Sequence, residues 1–260
     1  MSEAEIDLLY RLYEEQRAYV QSNGDVGAYM EYVDAHFATP MIVQRQIRVV
    51  DMFAEYIRGR VLEWGCQHGQ DSCLFRKRFG PSVELYACDV IPEQAYRPFH
   101  QFSGVQYVHL THPYRLPYAD NHFDLVISNG VLEHVANDLE SLKEIHRILK
   151  PQTIFVLTCL PNYYSYTEAV ARLRGRGHPR LYSVRQANAM LQDAGFRVIR
   201  SRYFFMIPVM LLGLPKSAQR LYQKVMGRIG WTVNDALEAL WPVNRLASNL
   251  LLIAKKERSS

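Results

Sequence analysis

From Arg60 onward, short apolar runs alternate with amphipathic stretches, and this rhythm admits very few folds. Val61 to Trp64, Val83 to Cys88, Val105 to Leu110, Phe123 to Ser128 and Ile154 to Thr158 each read as a short buried strand. Helical segments at Leu74 to Phe79 and Leu139 to Leu149 fall between them, the latter with Ile145, Ile148 and Leu149 on one face. A helix over Ser183 to Ala194 follows, with Ser183 as its N-cap and Gly195 just past its end. Phe196 to Ser201 and Asn249 to Ala254 bring the strands to seven. Strands joined through helices imply right-handed crossovers, so the predicted fold is three-layer α/β, a doubly wound and mostly parallel sheet.

The flanks differ in character. Residues 1–58 read as helices, with Leu8, Leu9, Leu12 and Tyr13 and then Ile47, Val50, Phe53, Ala54 and Ile57 at helical spacing. We expect them to form a lid over the core at 59–202, with Tyr29, Tyr32 and His36 near its mouth. Residues 203–247 form an insertion before the last strand and tail at 248–260. The chain has 260 residues, 48% of them apolar and 22% charged, which excludes a disordered chain or a collagen-like one. Thirty Lys and Arg against 26 Asp and Glu leave a net charge of +4, too little for a dedicated nucleic-acid binder. Cys66, Cys73, Cys88 and Cys159 show neither metal-ligand nor disulfide-framework spacing, so they read as reduced core thiols and no metal is expected. The N-terminus lacks the features of a secretory leader, so the expected location is cytoplasmic.

The sharpest local signal is Val61-Leu62-Glu63-Trp64-Gly65-Cys66-Gln67-His68-Gly69-Gln70-Asp71. It places an acid at the end of a strand and glycines in the turn that opens a helix, where the backbone must turn tightly beside a ligand. Asp89 closes the next strand, where a carboxylate accepts hydrogen bonds from a ribose diol. The spacing differs from the G-x-G-x-x-G of dinucleotide sites, and Glu63 would repel a pyrophosphate. An acid there suits a ligand with an ammonium group and no phosphate, which points to S-adenosylmethionine.

Three further stretches continue the match in order: Leu116 to Val126, Gly130-Val131-Leu132-Glu133-His134-Val135, and Lys143 to Pro151. With these, the chain resembles the class I S-adenosylmethionine-dependent methyltransferases of small molecules, from Val61 to about Ser201. The resemblance implies a Rossmann-like core. It assigns Glu63, Gly65, Cys66 and Gly69 to the methionine end of the cofactor, Asp89 to the ribose and Val90 to the adenine. Thr111 stands near the position where the family offers an acid to the adenine amino group, and Asn129 closes the fourth strand at the same site. Gln67 replaces the family's middle glycine, and Pro151-Gln152-Thr153 replaces its Pro-Gly-Gly turn.

Methyl transfer to an oxygen needs a base. His134, after the fourth strand at the carboxyl edge of the sheet, is the first candidate, and His178 is the second. Glu133 is expected to point elsewhere, and His68 reads as a cofactor-side or structural residue. Tyr163, Tyr166 and Arg180 are assigned to the acceptor, with Arg180 part of a basic run that includes Arg172, Arg174, Arg176 and Arg185. The expected acceptor is a small molecule, an oxygen of a glycan, nucleotide-sugar or lipid-linked precursor. The rival readings are an N-methyltransferase and an inactive partner subunit of the same fold. In the insertion, the apolar run Phe204 to Leu212 precedes Lys216, Arg220, Lys224 and Arg228 at four-residue spacing. The plain reading is a lid packed on the sheet. The others are a homodimer face, or a peripheral contact with the inner membrane surface.

Overall fold

The computed structural model describes residues 2–24, 33–34, 37, 39–112, 114–211 and 215–257. Tyr29, Tyr32, His36 and Leu212 lie outside the described residues. Seven strands form one sheet: β1 (Gly59–Trp64), β2 (Val83–Asp89), β3 (Gln106–His109), β4 (Phe123–Asn129), β5 (Leu149–Pro161), β6 (Phe196–Phe204) and β7 (Asn249–Lys256). Their spatial order is β3-β2-β1-β4-β5-β7-β6. The first five strands pair in parallel, whereas β7 runs antiparallel to both β5 and β6. The seven expected strands are all present, and β5 extends further than its apolar run because Leu149 pairs with Phe123 before an irregularity in register and Leu160 and Pro161 pair with β7 beyond it.

Among the described residues there are eight α-helices: α1 (Glu3–Asn23), α2 (Pro40–Asp51), α3 (Gln70–Phe79), α4 (Arg97–Ser103), α5 (Asp138–Ile148), α6 (Tyr166–Leu173), α7 (Val184–Asp193) and α8 (Lys216–Ala239). Local chemistry sets their starts. Asn137 and Ser165 accept from the backbone N–H groups of Glu140 and Glu168, in the first turns of α5 and α6, and Ser183 with Gln186 forms a capping box on α7. Leu142, Ile145, Ala187 and Leu191 of α5 and α7 bury against one face of the sheet. Residues of α1, α2, α3 and α4 bury against the other, so the layers are as expected for a doubly wound fold.

Of the N-terminal helices, α2 lines the cleft through Ile42, Arg45 and Gln46, and α1 packs into the core. Leu8, Leu9, Leu12 and Tyr13 of α1 share one buried cluster with Ile47 and Val50 of α2 and with Val61 and Leu125 of the sheet. At about 2 kcal/mol per fully buried large side chain, α1 belongs to the core. Tyr13 also donates to Gln70 at 2.5 Å, and Gln16 to the Ala95 carbonyl at 2.5 Å, which fastens α1 across the start of α3.

The two glutamines that replace family glycines keep a glycine-like backbone: Gln67 has φ 46° and Gln152 φ 66°. Both turns thus take left-handed backbone at a residue that does not adopt it easily.

Candidate functional site

From β1 the chain winds outward through β2 and β3, then returns to add β4 on the other side of β1. A crevice opens at the carboxyl ends of strands where the winding reverses, which is where open α/β sheets bind ligands. Here it is a cleft of about 940 Å³.

One half of the cleft is lined by Trp64, Gly65, Gln67, Asp89, Val90, Ile91, Leu110 and His112. Asp89 is buried, and its carboxylate accepts from the amides of Gln67 at 2.7 Å and Ile91 at 3.2 Å. Those bonds aim the group, and its remaining lone pairs are available to a diol. Gly65 has φ 71°, and a Cβ there would approach Val131 Cγ2 to 2.4 Å. Beneath this floor lie Asp71 and Glu63. Asp71 accepts from Gln46 and, at 3.1 Å, from Asn129, and burial pushes its carboxyl up to about 6. No Lys or Arg lines the stretch from Trp64 to Leu116. A half lined by the Asp89 carboxylate and by no Lys or Arg fits a sulfonium and an ammonium group and does not fit a pyrophosphate.

Several expected cofactor ligands occupy supporting positions instead. Glu63 is buried behind the turn, where one oxygen accepts from the Ser72 amide at 3.0 Å and from its hydroxyl at 2.5 Å. Burial and the neighbouring Asp71 push its carboxyl well above the usual range. It therefore ties β1 to the first turn of α3 and does not line the cleft. Gly69, with φ 74°, is the N-cap of α3, and Cys66 is buried with its thiol pushed up by burial. Thr111 is exposed and outside the cleft lining, which takes Leu110 and His112 from that loop. His68 is fully buried among the rings of Tyr13, Tyr96 and Phe99, so it is structural. Val90 and Asn129 do line the cleft.

The other half is built from Arg45, Glu133, His134, Cys159, Thr167, Glu168, His178, Pro208 to Met210, Ser248 and Asn249. Both candidate histidines are here, with ring centroids 6.2 Å apart. Glu168 Oε1 lies 2.6 Å from His178 Nδ1, and Glu168 Oε2 accepts the His178 amide at 3.1 Å. That hydrogen bond raises the His178 pKa, whereas burial and the adjacent His178 lower that of His134. Glu133 faces the cleft, contrary to expectation, with Oε1 3.8 Å from His134 Nε2. Burial pushes its carboxyl up to about 7.

Three expected acceptor contacts are corrected. Arg180 directs its guanidinium at the carbonyls of Glu133 and Val135 and at Asp138, so it braces the loop that carries His134 and is absent from the lining. Tyr166 donates to the Met206 carbonyl at 2.5 Å, and Tyr163 is 60% exposed, and neither lines the cleft. Arg172, Arg174, Arg176 and Arg185 are exposed and also outside it. Sequence reasoning missed Arg45, Gln46 and Glu168. A sequence signal exists for Glu168 alone, as an acid on the apolar-striped segment after β5.

The family model described as a methyltransferase domain matches residues 43–201. Over 93 residues the chain is 32% identical to cycloartenol-C-24-methyltransferase 1 of Oryza sativa subsp. japonica, covering 33% of this chain and 27% of that enzyme. The match thus spans about a quarter of that curated relative's length. An S-adenosylmethionine-dependent methyltransferase structure from Thermotoga maritima aligns over 87% of this chain and 95% of its own, with TM-score 0.59 and 15% identity. One from Archaeoglobus fulgidus aligns over 82% and 93%, with TM-score 0.56 and 18% identity. The [4+2]-cyclase SpnF shares the fold at TM-score 0.53 and 19% identity, over 82% of this chain and 81% of its own, so the likeness among structures speaks to architecture alone. The family match covers more than half of the chain and agrees with the Asp89 carboxylate at the end of β2 in the cleft: the protein belongs to the class I S-adenosylmethionine-dependent methyltransferases.

Proposed function

We propose that the chain methylates an oxygen of a small-molecule acceptor, with His178 as general base and Glu168 as the group that orients it. The observation that carries this reading is the contact between Glu168 and His178 on the wall opposite Asp89. A carboxylate beside Nδ1 keeps that nitrogen protonated and leaves Nε2 as the acceptor. The same bond raises the basicity of the ring, as proton removal from a hydroxyl requires.

When bound, S-adenosylmethionine supplies an electrophilic methyl on sulfur. Asp89, Gly65 and Asn129 are the residues in place to hold it. In the other half, His178 Nε2 would take the acceptor's hydroxyl proton as its oxygen receives the methyl, leaving His178 protonated and the cofactor as the neutral thioether S-adenosylhomocysteine. His134 and Glu133 line the same half as His178 and shape the acceptor's approach. The α2 wall at Ile42, Arg45 and Gln46 helps exclude water from the transfer.

The test uses radiolabelled S-adenosylmethionine with matched hydroxyl and amine acceptors. Label is expected in hydroxyl acceptors, and His178→Asn lowers kcat about 100-fold while cofactor affinity holds within about twofold. Label confined to amines, at a rate indifferent to His178→Asn, would refute the oxygen reading and leave an N-methyltransferase.

A further inference from the structure

Arg45 stands in the acceptor half of the cleft on α2. Its Nη2 donates to Asn249 Oδ1 at 3.0 Å and lies 3.7 Å from Cys159 Sγ, and its Cζ sits 4.9 Å from the centroid of the Phe205 ring. Asn249 is buried and in turn donates to the Cys159 carbonyl at 3.1 Å. Cys159 and Phe205 both take left-handed backbone, with φ 53° and 64°. Such conformations cost about 1–3 kcal/mol for a residue with a side chain and cluster at functional sites. Two strained positions and a buried amide therefore converge on one guanidinium and hold it still.

The described contacts of that cation are an amide oxygen, a thiol sulfur and an aromatic ring, none of which neutralises it. Among the described residues no carboxylate pairs with Arg45, and Nε and Nη1 make no hydrogen bond. The nearby carboxylate of Glu168 is already joined to His178. A fixed planar fork with open N–H groups is matched to a carboxylate or a phosphate. Ile42, Pro208, Val209 and Met210 continue the wall beside it with apolar surface.

We propose that Arg45 binds an anionic group of the methyl acceptor, a carboxylate or phosphate carried on an apolar body. The proposal rests on the reading that this half of the cleft takes the acceptor. The experiment titrates decanoate, decyl phosphate and uncharged decanol into protein saturated with S-adenosylhomocysteine. At least one anion binds tenfold or more tightly than decanol, and the tighter of the two identifies the headgroup. Arg45→Met abolishes the preference and Arg45→Lys retains part of it, while both keep S-adenosylhomocysteine affinity within about twofold, which reports an intact fold. Equal binding of charged and uncharged probes, or a preference that survives Arg45→Met, would overturn the proposal. Failure of the unsubstituted protein to bind S-adenosylhomocysteine would instead count against the methyltransferase reading itself.

A separate observation concerns α8. Its inner face buries Trp231, Asn234 and Glu238, leaving Leu221, Val225, Ile229 and Val233 exposed in a row on the outer face. Beyond the helix, Leu240 and Trp241 continue the exposed apolar surface, with Leu221 64% and Trp241 78% accessible. Arg220, Lys224 and Arg228 stand one residue before the first three and are exposed, with no acidic partner among the described residues. The acids toward the end of the helix, Asp235 and Glu238, are paired with Arg48 and Arg202. Two copies meeting through this face would bring two basic rows to one seam with no acidic row to offset them.

We infer that this face rests on an anionic lipid surface, with the apolar row in the acyl boundary and the cations at the headgroups. Gln223 of α8 donates to the Val209 carbonyl at 2.6 Å, so the same helix holds the apolar wall beside Arg45. No described helix is long and apolar enough to cross a membrane, and the contact is therefore peripheral. Sedimentation with phosphatidylcholine vesicles, with and without phosphatidylglycerol, tests it. Binding is expected only with phosphatidylglycerol, weakened by salt and by Arg220→Ala with Lys224→Ala, and lost in Leu221→Ser with Ile229→Ser. Absence of vesicle binding by the unsubstituted protein, or a dimer in light scattering that Leu221→Ser dissociates, would overturn the inference.

Discussion

Glu168 engages His178 twice, through Oε1 at 2.6 Å from the ring Nδ1 and through Oε2 at 3.1 Å from the backbone amide. Ring and backbone are thus oriented by one carboxylate, itself held at the third residue of α6, where the Ser165 hydroxyl accepts its amide at 3.1 Å.

The arrangement sets a pH dependence. The Glu168 hydrogen bond raises the His178 pKa above 6.5, so the neutral base is lost as pH falls through that raised value. Glu168→Gln is expected to move the acidic limb of kcat/KM to lower pH and to lower the plateau at least tenfold. An acidic limb that stays in place would show that His178 is not the titrating base. The stability sign is separate: the pair supports the fold fully below the unfolded histidine value of about 6.5, and that support is lost as pH rises through the folded value.

Asp89 tests the opposite wall. Asp89→Ala removes the acceptor aimed by Gln67 and Ile91, and calorimetry with S-adenosylmethionine should show at least tenfold weaker binding, about 1.4 kcal/mol. Unchanged affinity would remove Asp89 from the cofactor site.

Glu63 separates a structural acid from a ligand. One oxygen accepts both Ser72 donors, and a glutamine oxygen does the same, so Glu63→Gln is expected to cost less than about 1 kcal/mol of stability. Glu63→Ala leaves the Ser72 donors unpaired and costs about 2–3 kcal/mol. Cofactor affinity in Glu63→Gln stays within about threefold. A tenfold loss in that variant, at unchanged denaturation midpoint, would return Glu63 to direct contact with the cofactor.

Gln152 carries strain that glycine would relieve. Its φ of 66° is in the left-handed region, and its side chain is exposed. Gln152→Gly is expected to stabilise the protein by about 1 kcal/mol in urea denaturation, net of the entropy that glycine adds to the unfolded chain. Gln152→Ala keeps the strain and should gain nothing. Equal effects of the two substitutions would show that the backbone angle is not the cause.

The architecture was legible because its determinants are local. Apolar runs such as Val61 to Trp64 predict strands wherever they occur, Ser183 caps the helix that follows it, and the turn between β1 and α3 is written in consecutive residues. Asp89 belongs to the same class, since the end of β2 is at the cleft in any sheet wound this way. These features depend on backbone conformation and strand order, which neighbouring residues specify.

The sequence by itself thus determined the sheet, the family and the place of Asp89 and Asn129 at the cleft. Tertiary structure decided which polar side chains meet. Glu168 reaches His178 because the loop after α6 turns back, and Arg45 of α2 is held at the cleft by its contacts with Cys159 of β5 and Asn249 of β7. Arg180 and Glu63 are of the right chemical type for binding, yet nearer carbonyls and amides claim them. Long side chains take the strongest hydrogen-bonding partner within reach. That partner lies 10 residues away for His178 and 204 for Arg45, so its identity emerges only after the chain has folded.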